Sequence, residues 1–496
     1  MRDGDQIDGR DVSSLTGGGR QFGLRPPFHA TVQTGAGDRS KLATLILCTA
    51  LSAGVFLFPM EISAPAQKAL AVSVWMILLW IFSPIDHAIT GVAGCGLYWM
   101  TGAANFETAF SGFSRDTAWF LFGAIIFGTM AAQTGLARRL AYSVISFVGF
   151  SYSRILVGIV IVDFLMTFIV PSATARVVIL ASICLGIIDA FGAAPKSNIA
   201  RGLFIIFTYS ATIFDKMIIA GASSLVARGI IEEAGKVPVY YSQWFLAYLP
   251  CDLITIAACW ATILWLYPPE QTQLANGRAY IQMQRAKLGP FSGSEKRASV
   301  LMAITVALWM TDFIHHLSPS MIGLGAGLAA CLPKIGIFNS EDFRRIDPLS
   351  IILVGAVMSM ALVLIQTKAI DLLNAFFLLR IQPLLRSVNY SSVVLYWVGF
   401  AYHLFLPEPS NISTSMPLLM QFAKSNNLSP LAVGMIWTFA AGGKIFIYQS
   451  PVLVVGYSYG QFEAKDLLKV GLILTIVESL ILMLLVPIFW PLIGIS

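Results

Sequence analysis

Charge is what this 496-residue chain has least of: only 12% of its residues are Asp, Glu, Lys or Arg, about half the share found in a soluble globular protein. Apolar residues make up 57%. A water-soluble fold could not solvate so greasy a surface, which excludes soluble enzymes, nucleic-acid binders and disordered scaffolds. The net charge of +6 does not point to nucleic acid, because the basic residues sit at the borders of apolar segments. Cysteine is sparse as well. The six cysteines, at 48, 95, 184, 251, 259 and 331, fall in or beside apolar segments and form no CxxC pair. Neither a disulfide framework nor a zinc site is indicated. HExxH is missing, and Gly442-Gly443-Lys444 lacks the spacing of a phosphate loop. No apolar core of signal-peptide length precedes residue 42, so residues 1–41 read as a disordered cytoplasmic tail.

What the chain does have is a series of apolar runs. Residues 42–60, 69–85, 88–105, 117–137, 317–333 and 348–367 carry no charge. Residues 245–266 carry only Asp252, 298–315 only Asp312, and 470–496 only Glu478. The expectation is an all-α polytopic membrane protein in a lipid bilayer. Two apolar stretches are interrupted by proline: 155–188 at Pro171-Ser172, and 388–420 at Pro407-Glu408-Pro409-Ser410. Each half of these stretches reads as too short to span. Two more look like helices broken in mid-membrane, 202–227 around Asp215-Lys216 and 431–457 around Gly442-Gly443-Lys444. The longest polar connection, 267–297, separates a first half (42–266) from a second (298–496).

Basic residues orient this scheme, since cytoplasmic loops carry the excess of Lys and Arg. With the N-terminus and loops 136–156, 190–201, 267–297, 334–347 and 458–469 inside, 21 Lys/Arg lie on the cytoplasmic side and 8 opposite. The bias holds only if 155–188 and 388–420 are re-entrant hairpins, the first entering from inside and the second from outside. The halves also echo each other. Asp116, Gly123-Ala124 and Gln133-Thr134 answer Asp347, Gly355-Ala356 and Gln366-Thr367, and Pro171-Ser172 answers Pro409-Ser410. The charge bias gives matching spans opposite senses, an inverted-topology repeat. Broken helices paired across such a repeat mark a transporter's binding site. Free N–H groups at half-helix starts suit an anion. Carbonyls and hydroxyls at the breaks suit a small hard cation.

At these residues the sequence resembles the divalent anion–sodium symporter family of citrate and dicarboxylate carriers and exchangers. That family carries a Ser-Asn-Thr motif at each of two hairpin tips. Here the first tip reads Pro171-Ser172-Ala173-Thr174-Ala175-Arg176 and the second Pro409-Ser410-Asn411-Ile412-Ser413-Thr414. Gly112-Phe113-Ser114, Thr134-Gly135-Leu136-Ala137-Arg138-Arg139 and Leu308-Trp309-Met310-Thr311-Asp312 are also similar to the family. Ala173 stands in place of Asn, Ile412 in place of Thr, and Ser223-Ser224 near a usual post-tip Asn. The resemblance implies an elevator mechanism, a homodimer, and di- or tricarboxylate substrates, with sulfate in some branches. It also implies sodium ligands at the tips and the loops after them.

Candidate substrate contacts are Ser172, Thr174, Arg176, Ser410, Asn411 and Lys444. Short polar groups at helix breaks also serve as ordinary caps. An arginine in a span needs a partner or a cavity, and its fork suits a carboxylate; the alternative is an ion pair with Asp163 or Asp189. Lys444 either pairs with an acid such as Glu408 or stands in the site as a fixed cation. Candidate cation ligands, with Na+ as coupling ion, are Ser172, Thr212, Ser224, Ser410, Asn411 and Glu408. Asp215 and Lys216 read as neutralising each other. Asp252, Asp312 and Glu478 read as buried, hydrogen-bonded acids. The function expected is secondary transport of a small di- or tricarboxylate, by sodium symport or exchange, in the inner (plasma) membrane. Sulfate is the alternative substrate. A membrane-embedded enzyme lacks a catalytic set here, and a cation/proton antiporter would carry a bare acidic pair where these breaks carry Arg176 and Lys444. No resident cofactor is expected.

Overall fold

The computed structural model describes residues 38–495, apart from positions 61, 83, 171, 220, 334, 336 and 339 and segments 273–276, 345–347, 370–387 and 405–407. Most of the expected tail, residues 1–37, thus lies outside the described residues. Its last residues, 38–41, instead open helix α1 (Asp38–Leu57). The described residues form helices without a β-strand.

After α1 come α2 (Ala64–Phe82), α3 (His87–Met100), short α4 (Phe106–Ala109), α5 (Asp116–Thr134) and α6 (Leu136–Val148). Then follow α7 (Tyr152–Thr167), α8 (Ala173–Phe191), α9 (Asn198–Met217), α10 (Ala222–Ile230) and α11 (Tyr241–Leu266). The 267–297 connection is not plain loop: it holds α12 (Gly277–Lys287) and the start of α13 (Gly293–Met310). Next are α14 (Asp312–His315), α15 (Pro319–Ala330), α16 (Ser340–Arg344) and α17 (Leu349–Gln366). The chain closes with α18 (Val388–His403), α19 (Glu408–Ser425), α20 (Pro430–Ala440), α21 (Pro451–Ser458) and α22 (Ala464–Ile488). The order α5, α7–α8, α9–α10, α11 recurs as α17, α18–α19, α20–α21, α22, the order expected from the echoes between the halves.

Local chemistry sets the helix starts. Ser318, Ser429 and Ser450 each precede a proline, and each side chain accepts an N–H of the first helical turn. Proline's missing N–H is one of the donors left free there in any case. Ser292 and Glu295 form a reciprocal capping box at α13. In a bilayer these caps matter more, because water cannot satisfy the free groups.

The helices pack as two groups. In one, α2, α3, α5, α15 and α17 lie together, with α1 against α2 and α13 against α15. Along α1, Leu42, Ile46, Leu47 and Leu51 remain exposed. The α5–α15 crossing is made by glycine. A Cβ on Gly123 would lie 2.4 Å from the Gly323 carbonyl oxygen, and one on Gly327 would lie 2.8 Å from Gly123 Cα. Small residues permit such close backbone approach between membrane helices. In the other group, α9 is surrounded by α7, α8, α11 and α21, while α18 and α19 pack on α20, and α22 packs on α18 and α11.

One length departs from expectation. α8 has 19 residues and α7 has 16. At 1.5 Å per residue α8 is about 28 Å long, close to the roughly 30 Å hydrocarbon core, and it is apolar enough to cross. The idea that both halves of 155–188 are too short therefore fails for α8, because the helix runs on to its Gly192 cap.

Candidate functional site

Each half contains one helix break of each expected kind. The first proline break, Phe168–Ser172, ends α7 and starts α8. Ser172 is exposed, and its hydroxyl accepts the Ala175 N–H at 3.4 Å. Thr174 is half-buried in the first turn of α8. Arg176 is wholly buried, and each of its three nitrogens donates within the protein. Nε meets Asp163 Oδ1 at 2.9 Å, Nη1 donates to the Val170 carbonyl at 3.1 Å, and Nη2 to the Ala211 carbonyl at 2.9 Å. Asp163 also accepts from the Ser210 hydroxyl at 2.7 Å. The guanidinium thus ties α7, the break and α9 together, the Asp163 pairing that the sequence left open.

The second proline break precedes α19. Residues 405–407 and the Ser410 side chain lie outside the described residues. Glu408 opens α19 and its Oε2 lies 2.8 Å from Lys444 Nζ, both side chains being buried. Asn411 is buried, and its Oδ1 accepts from the Ser415 hydroxyl at 3.2 Å. Lys444 therefore has the acid partner named for it, and its charge stands at the second tip.

Between the tips lie the mid-helix breaks. α9 stops at Met217 and α10 starts at Ala222, while α20 stops at Ala440 and α21 starts at Pro451. Thr212 donates to the Tyr209 carbonyl at 2.8 Å, and Ser224 reaches back across the first break to the Asp215 carbonyl at 3.1 Å. Gln449 folds the second break: its Oε1 accepts from the N–H groups of Ile445 and Phe446, each at 2.7 Å, and its Nε2 donates to the His403 carbonyl at 2.9 Å. Tyr209 donates to the Lys444 carbonyl at 2.9 Å, joining α9 to that loop.

Asp215 and Lys216 do not neutralise each other. Successive helical residues point about 100° apart, and these two part accordingly. Asp215 Oδ1 lies 4.0 Å from Arg176, and its charge interacts with Glu408 and Lys444 as well. One carboxylate therefore senses both tips. Lys216 turns into the other half. Its Nζ lies 3.5 Å from Glu478 Oε1 and 4.4 Å from the centre of the Phe439 ring. Gly442 makes room for it, since a Cβ there would sit 1.7 Å from Nζ. Glu478 also accepts from the Tyr396 hydroxyl at 2.9 Å. Asp312 is bonded as expected, to the Tyr241 N–H and the Ser242 hydroxyl at 2.5 Å each. Asp252 is the exception: it is fully buried, and neither oxygen has a hydrogen-bond partner among the described residues. The sequence missed Lys216 as the cation of the second break, and Gly442 is the signal that could have found it.

Apolar membrane helices with broken pairs in both halves, and buried charges held at the breaks, define a polytopic membrane transporter. The model of the sodium:sulfate symporter transmembrane region matches residues 39–496, and the chain belongs to that family, the divalent anion–sodium symporters that its tip motifs resemble. A citrate/succinate antiporter of Escherichia coli K12 is 23% identical, covering 77% of this chain and 80% of its own. The chloroplastic dicarboxylate transporter 2 of Spinacia oleracea is 23% identical, covering 92% and 83%. In fold, the chain is similar to Neisseria gonorrhoeae MtrF, described as illuminating a class of antimetabolite efflux pumps. The TM-score is 0.54 at 10% identity, covering 90% of this chain and 94% of that one. The family and these curated relatives are transporters, not enzymes.

Proposed function

We propose that this chain carries a small di- or tricarboxylate across the membrane, and does so chiefly by exchange. One observation carries the reading: both tip motifs stand beside a fixed protein cation, Arg176 at the first and Lys444 at the second. The start of α8 at Ser172 and the first turn of α19, which carries Ser410 and Asn411, offer N–H groups to a carboxylate. Thr174 adds a hydroxyl. Arg176 and Lys444, each held by its acid, supply positive potential from behind rather than a free fork. Names of the relatives support the substrate class, since they include citrate, succinate and dicarboxylate carriers.

In this reading α7–α8 and α18–α19 are hairpins re-entering from opposite sides. They ride with α9–α11 and α20–α22 as a moving body past α2, α3, α5, α15 and α17, which hold a dimer. The 21-to-8 bias of Lys and Arg supports a cytoplasmic N-terminus in a plasma (inner) membrane. Sodium, if bound, would sit at Ser172, Thr212, Ser224, Glu408, Ser410 and Asn411. Lys444 and Lys216 already bring charge to the second break, which favours exchange over sodium symport. The family description favours sulfate as the second reading. Uptake of labelled succinate, citrate and sulfate into proteoliposomes tests the choice. Saturable carboxylate uptake that sulfate does not compete is the result expected. Uptake of sulfate alone would overturn it.

A further inference from the structure

Among the described residues Asp252 is a buried acid with both oxygens unbonded, whereas Asp215, whose Oδ1 also lacks a hydrogen bond, lies 4.0 Å from Arg176. Asp252 lies midway along α11, wholly buried, with neither carboxylate oxygen receiving a hydrogen bond. Asp163 has Arg176, Glu408 has Lys444, and Glu478 has Lys216 and Tyr396. Around the breaks, five acids (Asp163, Asp215, Asp252, Glu408, Glu478) face three cations (Arg176, Lys216, Lys444). Of these, four acids and three cations are buried and Asp215 is partly exposed, so acids outnumber bases here before an anionic substrate adds more negative charge.

Apart from Lys216, the groups around Asp252 are committed elsewhere. On α11 itself, Tyr248 donates to the Met435 carbonyl at 2.6 Å and Cys251 faces the Ala247 carbonyl. From α9, Lys216 reaches it electrostatically while standing 3.5 Å from Glu478. From α22 comes Glu478, of like charge, and from the second break the charge of Lys444. Farther along the elements packed on α11, Asp163 of α7 is held by Arg176, and Glu295 of α13 by Arg139 at 2.7 Å. Asp312 of α14 is held by Tyr241 and Ser242, and Asp466 of α22 lies 3.4 Å from Arg201. Among these groups only Lys216 has donors to spare, since its Nζ makes no hydrogen bond, and it lies 3.5 Å from Glu478. An ionised carboxylate without donors in a membrane interior costs several kcal/mol. A proton removes that cost with one O–H bond. A metal ion would need several ligands, and among the described residues no three His, Cys, Asp or Glu side chains converge.

We propose that Asp252, beside Lys216 and Glu478, is a proton-binding site that couples anion transport to a proton. The proposal rests on the anion-carrier reading above. With a dicarboxylate at the tips, the added negative charge draws a proton from water onto an Asp252 oxygen. When the anion leaves, the O–H bond breaks, the proton returns to water, and Lys216 becomes the counter-ion of the carboxylate. Linkage makes the effect reciprocal, so the proton also tightens anion binding.

The test uses the full chain in detergent, weakly buffered, with a pH indicator and succinate as probe. The wild type is expected to take up about one proton per succinate bound, and above the titration of the site its Kd rises about tenfold per pH unit for one coupled proton. Asp252→Asn is expected to bind succinate with no proton uptake and a Kd flat with pH. Equal proton uptake in Asp252→Asn, or succinate binding to wild type without uptake, would overturn the proposal. Infrared difference spectra give a second arm that needs no substrate. The carbonyl band of an unbonded carboxylic acid should be present in wild type and titrate with pH, and should be lost in Asp252→Asn. A band unchanged by the substitution, or one removed by sodium at constant pH, contradicts it. Absence of succinate binding with the band intact would fail the carboxylate reading and leave the proton site standing.

Discussion

Arg176 shows how a single residue organises the first break. Three donors go to three separate elements, so a lysine, with a compact ammonium, cannot replace the fork. Arg176→Ala leaves Asp163 buried and unpaired, and breaking a buried pair in this way costs about 3–5 kcal/mol. A large drop in the detergent unfolding temperature is expected, with much of it regained in Arg176→Gln/Asp163→Asn; an unshifted melt would contradict the ion-pair assignment. At the second break, Gly442→Ala should force the Lys216 ammonium from its place over Phe439, at a cost of about 1–3 kcal/mol as for other overpacked interiors. A melt equal to wild type would show that Lys216 has room to spare. Outside the spans, Arg139 donates to Glu295 and holds that carboxyl below its ordinary range. The sign follows from the lowered value. Ionised Glu295 stabilises the fold above the unfolded pKa, and that stability is lost as pH falls through the folded one. Arg139→Gln should therefore flatten the acid side of the stability–pH profile, and an unchanged profile would remove this contact from the account.

At the scale of elements, much was legible in the sequence. Proline-containing segments marked both helix breaks at Ser172 and before Glu408, and the paired breaks after Lys216 and at Gly442 fall where polar residues interrupt apolar runs. The reach of each element was less legible. α8 continues to Gly192 because nothing between Ala173 and Phe191 breaks it, so half-length could not be read from the proline alone. The partners of Asp215 and Lys216 were hidden too, because they depend on tertiary contacts with Arg176 and Glu478. Topology is where the hairpin proposal is most exposed. Cysteines placed in 140–150 and 190–200 should label from the same side of the membrane. Labelling from opposite sides would mean that α7–α8 crosses, and the opposed hairpins would have to be abandoned.

For the whole molecule, the central claim concerns fixed charge. A dicarboxylate brings about two negative charges, and in this reading Arg176 and Lys444, each paired with its own acid, favour it by local positive potential rather than by surplus charge. Lys444→Ala should accordingly weaken succinate affinity and leave any sodium dependence unmoved. Without substrate the helix starts at the breaks keep N–H groups that lack an acceptor, which is costly to carry through the low-dielectric interior. Exchange avoids that step. The decisive measurement is labelled succinate uptake into proteoliposomes loaded or unloaded with succinate, each with and without an inward sodium gradient. The account predicts strong stimulation by internal succinate and little change with sodium. Uptake that rises steeply with sodium and ignores internal substrate would contradict it.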